Sequence, residues 1–319
     1  MRRFRLRRRR AIALATAAFA AMTTTMMTSA AAAPEDTVRK ARIDVSSRTV
    51  PIGDKVTLKG AFPDAPHARV NIRHRKAGSK VWRDAGHTTT GASGKYSLRV
   101  SPRRTGYWKA ELASDQPRNG PVPGGIAQKI DTGTGSERVA VRSKASVSVE
   151  GRHASVGRGV VVKGKVKPAG ERRKVVVRIG GTKKVTRAGR NGKFSVKWNA
   201  RSTGSYPVRV KTRTNRAAKG SSNRAGKVTV YRSAPASWYG PGLYGNRMAC
   251  GGVLTPGTLG VAHKSMPCGT KLTLRYGGRS VTVRVVDRGP FAGNREFDLT
   301  SATKQRLGFP DVGTVLTSR

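Results

Sequence analysis

Asp287 is the acidic residue of this 319-residue chain whose position is best suited to chemistry. It follows 281–286, where valine alternates with threonine or arginine over most of the length, a pattern that predicts a β-strand. The Gly289-Pro290 pair predicts a turn, so the carboxylate should lie at a strand end, where it can serve as general acid or base. An aspartate before Arg-Gly-Pro can equally hydrogen-bond the next backbone amides or pair with Arg288, and both interpretations stay open.

Two more acids lie just downstream, and catalysis at Asp298 is the alternative to a structural role. Asp298 is interpreted as structural, because it precedes a short helix that should run to about Leu307. Either Thr300 or Ser301 can cap that helix, and the Asp298 side chain would tie it to the neighbouring sheet. Glu296 is expected to be exposed.

Cys250 and Cys268 are the only cysteines, with 17 residues between them. In an oxidising compartment they are expected to form a disulfide, which the chain-entropy relation values at roughly 3 kcal/mol. The bridge would clamp the loop that carries His263 against the segment before Cys250, and two free thiols are the alternative. We expect no metal site, because two cysteines and one histidine leave a fourth ligand missing, and no cofactor.

The segments from residue 236 onward resemble a known family. They read Ala236-Ser-Trp-Tyr-Gly240, Arg247-Met-Ala-Cys-Gly-Gly252, Leu259-Gly-Val-Ala-His-Lys-Ser-Met-Pro-Cys-Gly269, Val281-Thr-Val-Arg-Val-Val-Asp-Arg-Gly-Pro-Phe291 and Phe297-Asp-Leu-Thr300. In this order they resemble the double-psi β-barrel domain of the rare lipoprotein A (RlpA) family, which is related in fold to the catalytic-like domain of expansins. The resemblance covers 236–319 and implies a six-stranded barrel with a shallow groove for a polysaccharide.

The resemblance also implies a lytic transglycosylase that cleaves the glycan strands of peptidoglycan. The essential aspartate of the family's V-x-D-R-G-P segment matches Asp287, and the histidine of its A-A-H segment matches His263. One carboxylate suffices for this reaction, because the muramic acid's own 6-hydroxyl attacks the anomeric carbon, whereas a hydrolase usually needs two. His263 would orient Asp287 or a sugar hydroxyl, or it is a structural donor, and these interpretations carry equal weight.

One position departs from the family pattern. Transglycosylases of the family carry a glutamate just after the A-x-G of the early segment, where this chain has Gly252. The missing carboxylate favours either a single-acid mechanism or a non-catalytic, expansin-like role, in which wall polymers are separated without bond cleavage. A purely adhesive protein that acts through its charge is a third hypothesis.

Four side chains are expected to contact the glycan. Sugars stack their apolar faces on aromatic rings, which favours Tyr239, Tyr244 and Phe291 as groove residues. Arg288 joins them as a basic side chain beside the catalytic position. Trp238 is expected to lie in the core.

Two related segments precede the barrel. Gly53-Asp-Lys-Val-Thr-Leu-Lys-Gly60 matches Gly157-Arg-Gly-Val-Val-Val-Lys-Gly164, and Gly94-Lys-Tyr-Ser-Leu98 matches Gly192-Lys-Phe-Ser-Val196. Short alternating strands with Gly-rich turns predict two β-sandwiches that resemble immunoglobulin-like repeats. The expected all-β order is a signal peptide at 1–33, repeats at 34–113 and 143–232 joined by a linker at 114–142, and the barrel at 235–319.

The first 33 residues predict export. Seven arginines within the first ten residues precede an apolar run at 11–22 and small residues at 28–33, as in a secretory signal. The run is shorter than the roughly 20 residues that span a bilayer, and no later segment is apolar enough. A soluble protein secreted into a bacterial cell envelope is therefore expected, with twin-arginine export and an uncleaved amphipathic anchor as open alternatives.

The formal net charge of +48 predicts a polyanionic partner. Residues 34–234 carry +34 of this charge and residues 235–319 only +7. Nucleic acid, anionic lipid and cell-wall polymers are the candidate partners. Export favours the wall, and the absence of aromatic residues interleaved with basic ones argues against nucleic acid. The alternative is that the lysines and arginines only keep the repeats soluble.

Overall fold

The computed structural model describes residues 39–114, 119–120, 128–129 and 131–319. The predicted signal peptide and much of the predicted linker lie outside the described residues. The described part of the chain forms strands and one short helix, which confirms the all-β fold class. This helix, the one in the described part of the chain, is neither long nor apolar enough to cross a membrane.

The first sandwich occupies the amino-terminal part of the described chain. Its strands are β1 (Arg42–Val45), β2 (Thr49–Pro51), β3 (Val56–Ala61), β4 (Arg69–Lys76), β5 (Arg83–Thr89), β6 (Lys95–Val100), β7 (Gly106–Leu112) and β10 (Glu137–Arg142). Between β7 and β10, a separate two-stranded ribbon consists of β8 (Asn119–Gly120) and β9 (Gln128–Lys129). One sheet has the order β1-β3-β6 and the other β2-β10-β7-β4-β5. Strand β10 falls inside the range predicted as linker, yet it pairs with β7 and β2. Ordered structure of this sandwich therefore extends to Arg142.

The second sandwich repeats this arrangement. Its strands are β11 (Lys144–Glu150), β12 (His153–Ser155), β13 (Gly159–Lys167), β14 (Lys174–Ile179), β15 (Thr182–Arg187), β16 (Lys193–Asn199), β17 (Gly204–Thr212) and the first part of β18 (Ser222–Tyr239). One sheet has the order β11-β13-β16, and the other has the order β15-β14-β17-β18 with β12 beside β18. Each repeat is thus a two-sheet sandwich, as the sequence predicts.

A glycine opposite an aromatic ring explains one of the repeated motifs. Gly60 of β3 is the cross-strand partner of Tyr96 in β6, and Gly164 of β13 is the partner of Phe194 in β16. A Cβ added at either glycine would collide with that ring and with a backbone carbonyl of the adjacent strand. Glycine therefore makes room for the ring, which is buried in the sandwich core in both repeats.

The carboxy-terminal domain is a closed barrel. Its strands are the second part of β18, β19 (Gly260–His263), β20 (Lys271–Tyr276), β21 (Arg279–Asp287), β22 (Phe297–Thr300) and β23 (Gly313–Thr317). The order β18-β22-β19-β21-β20-β23 closes through the pairing of β23 with β18, which confirms the predicted six strands. Val261, Leu272, Leu274, Phe297 and Leu299 fill its core.

One continuous strand joins the second sandwich to the barrel. Strand β18 pairs with β17 up to Val230 and with β23 from Arg232 onward. The change of domain predicted near residues 232–235 therefore takes place within a single strand. A shared strand leaves no flexible spacer at this position.

A short helix, α1 (Ser301–Leu307), follows β22 and ends where the sequence predicts. Thr300 occupies the N-cap position but makes no side-chain capping bond. Its hydroxyl instead donates to the backbone carbonyl of Gly260 at 3.1 Å and accepts from the Gly260 amide at 3.2 Å. Thr300 therefore ties the helix to strand β19.

Candidate active site

Four cross-strand partners form a row on the barrel. Asp287 of β21 lies opposite Ala262 of β19, which lies opposite Asp298 of β22, which in turn lies opposite Ser237 of β18. Directly opposed residues point to the same side of a sheet, and the Ser237 hydroxyl donates to the Asp298 carboxylate. Leu299, the neighbour of Asp298, points into the core. The row therefore faces outward and brings two carboxylates to one surface.

A β-bulge sets the direction of Asp287. Val283 and Val285 face the barrel core, and strict alternation along β21 would turn Asp287 inward as well. The register between β19 and β21 shifts after Val285, which leaves Val286 as an extra residue. Bulges re-aim side chains in this way, and the Asp287 side chain is half-buried instead of sealed in the core.

The two oxygens of Asp287 have different surroundings. Oδ1 accepts hydrogen bonds from the backbone amides of Ala249 at 2.8 Å and Arg288 at 2.9 Å. Oδ2 accepts no hydrogen bond from the described residues. The bond to Arg288 is the one expected of a turn aspartate, whereas the bond to Ala249 joins segments 38 residues apart. The carboxylate is thus fixed through Oδ1, whereas Oδ2 has no hydrogen-bond donor among the described residues.

Tyr239 places a protonated hydroxyl near Asp287. Its hydroxyl oxygen is buried and has no hydrogen-bond partner among the described residues. Burial raises the pKa of Tyr239, and the negative charges of Asp287 and Asp298 raise it further. The hydroxyl therefore keeps its proton at neutral pH, and the Asp287 carboxylate is close enough to interact with it as an acceptor. Buried polar groups without a partner are uncommon, which marks this hydroxyl as a candidate ligand contact.

The other aromatic residues have hydroxyl or ring-nitrogen partners of their own or are exposed. The Tyr244 hydroxyl hydrogen-bonds Ser301 Oγ at 2.7 Å, and its side chain is exposed. Phe291 is 83% exposed. Trp238 is only partly buried against the barrel core. Its Nε1 donates a hydrogen bond to the exposed Asp311 at 2.7 Å. The expectation of a core tryptophan therefore holds only in part.

His263 faces Glu296 and makes no direct hydrogen bond to Asp287 among the described residues. Its Nδ1 accepts the backbone amides of Ser265 at 3.1 Å and Met266 at 2.9 Å, so the ring proton belongs on Nε2. Nε2 lies 3.8 Å from Glu296 Oε1. Burial lowers the pKa of His263, although the Glu296 carboxylate opposes this shift. The ring is accordingly neutral near pH 7.

Glu296 is half-buried, which corrects the expectation that it is exposed. Both of its oxygens accept hydrogen bonds from the guanidinium of Arg232, with Nη1 at 2.7 Å from Oε2. Arg232 is 64 residues away in sequence, and the two meet because Glu296 precedes β22, which pairs with β18. No local sequence pattern predicts an ion pair between residues so far apart.

Arg288 and the disulfide brace the loop around the site. Cys250 and Cys268 are bonded with Cα atoms 5.4 Å apart, which confirms the predicted bridge. Arg288 Nη1 donates to the Met266 carbonyl at 2.9 Å, and Nη2 lies 3.1 Å from the Cys268 sulfur. The Arg288 guanidinium therefore contacts other residues of the barrel, whereas the sequence predicts that it contacts the substrate. Because Cys250 follows Ala249, the bridge also anchors the amide that holds Asp287.

No group of three histidine, cysteine, aspartate or glutamate side chains within the described ranges is arranged to hold a metal ion. The site offers carboxylates, hydroxyls and a neutral imidazole. Such groups suit proton transfer and sugar binding.

Known proteins similar to this chain match the barrel. The family model described as "Lytic transglycolase" matches residues 232–317. The "Probable endolytic peptidoglycan transglycosylase RlpA" of Synechocystis sp. is 44% identical over 91 residues, which are 28% of this chain and 28% of that protein. The "Endolytic peptidoglycan transglycosylase RlpA" of Neisseria meningitidis is 38% identical over 108 residues, and that of Campylobacter jejuni is 42% identical over 81 residues.

Residues 232–317 are an RlpA-like double-psi β-barrel domain. The matches cover 30% of this chain for the Neisseria protein and 25% for the Campylobacter protein. They span only 45% and 30% of the lengths of those two relatives. The likeness therefore concerns the RlpA-like domain and leaves the two sandwiches aside.

Gly252 is the residue at which the resemblance predicts a departure from the family pattern. It lies exposed in the loop before β19 with φ at 76°, a conformation that glycine adopts readily. Its carbonyl accepts the Met248 amide at 3.0 Å. We name the row of Asp287, Ala262, Asp298 and Ser237 the RlpA-like surface, and its carboxylates are those of Asp287 and Asp298.

The RlpA-like domain gathers some of the predicted residues and separates others. Asp287, Tyr239 and Asp298 share one surface, whereas His263 and Arg288 contact the adjoining loop, and Tyr244 and Phe291 are exposed. Their catalytic and substrate-binding roles stay predictions. Sequence reasoning missed Ser237, although its place in the strand two residues before Tyr239 would put both side chains on the same face.

Proposed function

We propose that this chain is an exported cell-wall protein whose RlpA-like domain cleaves peptidoglycan glycan strands without hydrolysis. The observation that carries the proposal is the Asp287 carboxylate, which is fixed through Oδ1 and has no hydrogen-bond donor at Oδ2 among the described residues. The relatives named endolytic peptidoglycan transglycosylase support the same reaction class.

In the proposed reaction a single carboxyl group transfers both protons. Protonated Asp287 gives its proton to the glycosidic oxygen as the bond from that oxygen to the anomeric carbon breaks. The resulting carboxylate then takes the proton of the muramic acid 6-hydroxyl while that oxygen bonds to the anomeric carbon. The products are a 1,6-anhydromuramyl end and a free hydroxyl end, and no water is consumed.

The neighbours of Asp287 have supporting roles in this proposal. Tyr239 donates its unpartnered hydroxyl to a sugar oxygen or to the Asp287 carboxylate. Asp298, held by Ser237, accepts a sugar hydroxyl or stays structural. His263 and Arg288 position the loop that the disulfide closes.

The basic sandwiches are proposed to retain the protein on anionic wall polymers. Residues 34–234 hold most of the positive charge, whereas the RlpA-like domain carries only +7. Retention and cleavage are thereby assigned to different parts of the chain. Secretion through the signal at 1–33 belongs to this proposal.

An expansin-like role is the second candidate, and Gly252 favours it. Without a glutamate at that position the domain lacks the second carboxylate that the resemblance associates with turnover. In this alternative the RlpA-like surface binds glycan and separates strands, and Asp287 contributes a hydrogen bond only.

Mass spectrometry of digested glycan strands, freed of stem peptides, distinguishes the two. The mature protein is expected to produce anhydromuramyl ends, and Asp287→Asn to lower the rate by roughly a hundredfold or more. Asp311→Asn is the matched control, because Asp311 is an acid of the same domain whose side chain is 77% exposed and bonds Lys304 and Trp238. Equal rates for Asp287→Asn and the parent would contradict the mechanism. Binding without any product, unchanged in Asp287→Asn, would establish the expansin-like role.

A further inference from the structure

The outward side of one sheet in the second sandwich is covered with lysines. Strands β11, β13 and β16 present there the side chains that alternate with the buried valines. We name this surface the lysine face, which comprises Lys144, Lys163, Lys165, Lys167, Lys193 and Lys197. All six side chains are exposed.

These lysines lie close together and are almost free of carboxylates. Lys165 is the direct cross-strand partner of Lys193, and Lys144 is the partner of Lys167. Like charges in such positions destabilise a sheet. Among the described residues the one ion pair on the face joins Lys163 to Glu150 at 2.9 Å. The opposed lysines therefore lower the stability of the free protein, and a bound polyanion would relieve their repulsion.

Serines lie between the lysines and leave room for a ligand. Ser146 is the partner of Lys165 in its row, and Lys163 has Ser148 on one side and Ser195 on the other. Short side chains beside long ones form a shallow trough of about 750 Å³, lined by these serines together with Lys163, Lys165 and Lys193. The Ser148 and Ser195 hydroxyls add hydrogen-bond donors next to the ammonium groups, a combination that suits phosphate oxygens, whereas the Ser146 hydroxyl donates to the Lys165 carbonyl at 3.3 Å.

No aromatic ring faces outward in this part of the described structure. Phe194 and Trp198 of β16 point into the sandwich core and are only 6% and 7% exposed. Proteins that bind single-stranded nucleic acid stack bases on aromatic side chains, and the lysine face offers no such platform. The occupant it fits is a chain of phosphates joined by non-aromatic units.

The first sandwich supplies an internal reference for this surface. Its equivalent sheet places Asp44 opposite Lys59, where the second sandwich places Ser148 opposite Lys163. It also has Ala61 opposite Lys95, where the second has Lys165 opposite Lys193. An acid thus replaces a serine, and an alanine replaces a lysine. The uninterrupted pattern belongs to the second sandwich alone.

We propose that the lysine face binds a polyol-phosphate polymer of the cell wall. The inference rests on the proposed function in taking the wall as the place of action, and it assigns the ligand class and the surface. Phosphates along the polymer would meet lysines about 6.7 Å apart along β13 and about 4.8 Å apart across strands. Hydroxyls of the polyol units would meet Ser146, Ser148 and Ser195.

The test compares two triple variants of the full mature chain. The face variant carries Lys165→Gln, Lys193→Gln and Lys197→Gln, each lacking an ion-pair partner among the described residues. The control variant carries Lys174→Gln, Lys183→Gln and Lys211→Gln on the other sheet of the same sandwich, with the same loss of charge. The probe is poly(glycerol phosphate) of defined length, titrated at several salt concentrations.

We expect the face variant to bind at least about tenfold more weakly than the parent at low salt. The slope of log affinity against log salt concentration should be smaller by about two, because about two phosphate contacts are lost. The control variant should change affinity by less than about threefold. The unliganded face variant should melt at the same temperature as the parent or higher, because opposed lysines have been removed. Equal losses in both variants would overturn the proposal, since the attraction would then be general charge. Equal or tighter binding of single-stranded DNA than of the polymer would also overturn it.

The same variants separate this proposal from the proposed reaction. Glycan cleavage by the face variant on short soluble strands should match that of the parent, because the lysine face lies outside the RlpA-like domain. A parent protein that binds the polymer but cleaves no glycan would refute the reaction and leave the lysine face supported. A parent that cleaves glycan without binding the polymer would refute the lysine face.

Discussion

The lysine face and the RlpA-like surface are both rows of cross-strand partners on the outward side of a sheet, and they differ in what surrounds them. The sandwich row carries exposed ammonium and hydroxyl groups, of which one lysine has an ion-pair partner among the described residues. The barrel row carries two half-buried carboxylates and the buried Ser237 hydroxyl, with a loop and a disulfide beside them. Exposure keeps charges solvated and suits reversible binding of a long polymer. Partial cover fixes individual atoms, which proton transfer requires.

The largest expected effect concerns the disulfide that holds the loop beside Asp287. Replacing both cysteines, Cys250→Ser with Cys268→Ser, should lower the free energy of unfolding of the barrel by about 3 kcal/mol. Glycan cleavage should fall as well, because the Ala249 amide that holds Asp287 adjoins the bridge. Urea unfolding followed by Trp238 fluorescence, in variants without the other tryptophans, reports the barrel.

The described sandwiches contain no cysteine and provide the control for that change. Their unfolding transitions should stay where they are in the parent protein. A barrel transition that does not move would contradict the view that the bridge maintains the site.

A smaller effect is expected from the unpartnered hydroxyl. Tyr239→Phe should lower the cleavage rate by roughly ten- to a hundredfold, because a donor beside Asp287 is lost. Stability should be unchanged or slightly higher, since the hydroxyl has no partner in the described structure. Tyr244→Phe is the matched control, and it should lose about 1 kcal/mol of stability with its Ser301 bond and little activity. Equal activity losses in both variants would remove Tyr239 from the site.

The smallest effect is a pH dependence that also compares the two regions. Burial lowers the pKa of His74 in the first sandwich and of His263 in the barrel relative to the unfolded chain. Each histidine therefore contributes fully above pH 6.5, and its contribution is lost as the pH falls below the unfolded value. Urea midpoints should decrease between pH 7.5 and pH 5.5, with a smaller decrease in His263→Gln. Midpoints that rise with acid would contradict the assignment.

The sequence predicted the parts of the fold that local patterns encode. Alternating valines, glycine turns and the two cysteines correctly indicated strands, sandwiches and the bridge. The end of β21 at Asp287 followed from the Gly289-Pro290 turn. The bulge at Val286 could not be read, because it depends on the register with a strand more than twenty residues away.

Contacts between distant segments were equally hidden from the sequence. The Arg232–Glu296 pair arises only when β18 and β22 lie side by side. In the first sandwich the fold places Arg75 4.8 Å from the centre of the Tyr107 ring and 5.1 Å from that of Trp82. The sequence did not predict this cluster, because its three residues come from different segments.

Oxygen labelling tests the central claim most directly. Peptide-free glycan strands would be digested by the mature protein in water enriched in oxygen-18, and the new ends weighed by mass spectrometry. We predict anhydromuramyl ends that contain no label, because the 6-hydroxyl of the sugar and not water attacks the anomeric carbon, and their loss in Asp287→Asn. Reducing ends that carry oxygen-18, or label-free ends formed equally by Asp287→Asn, would contradict the account.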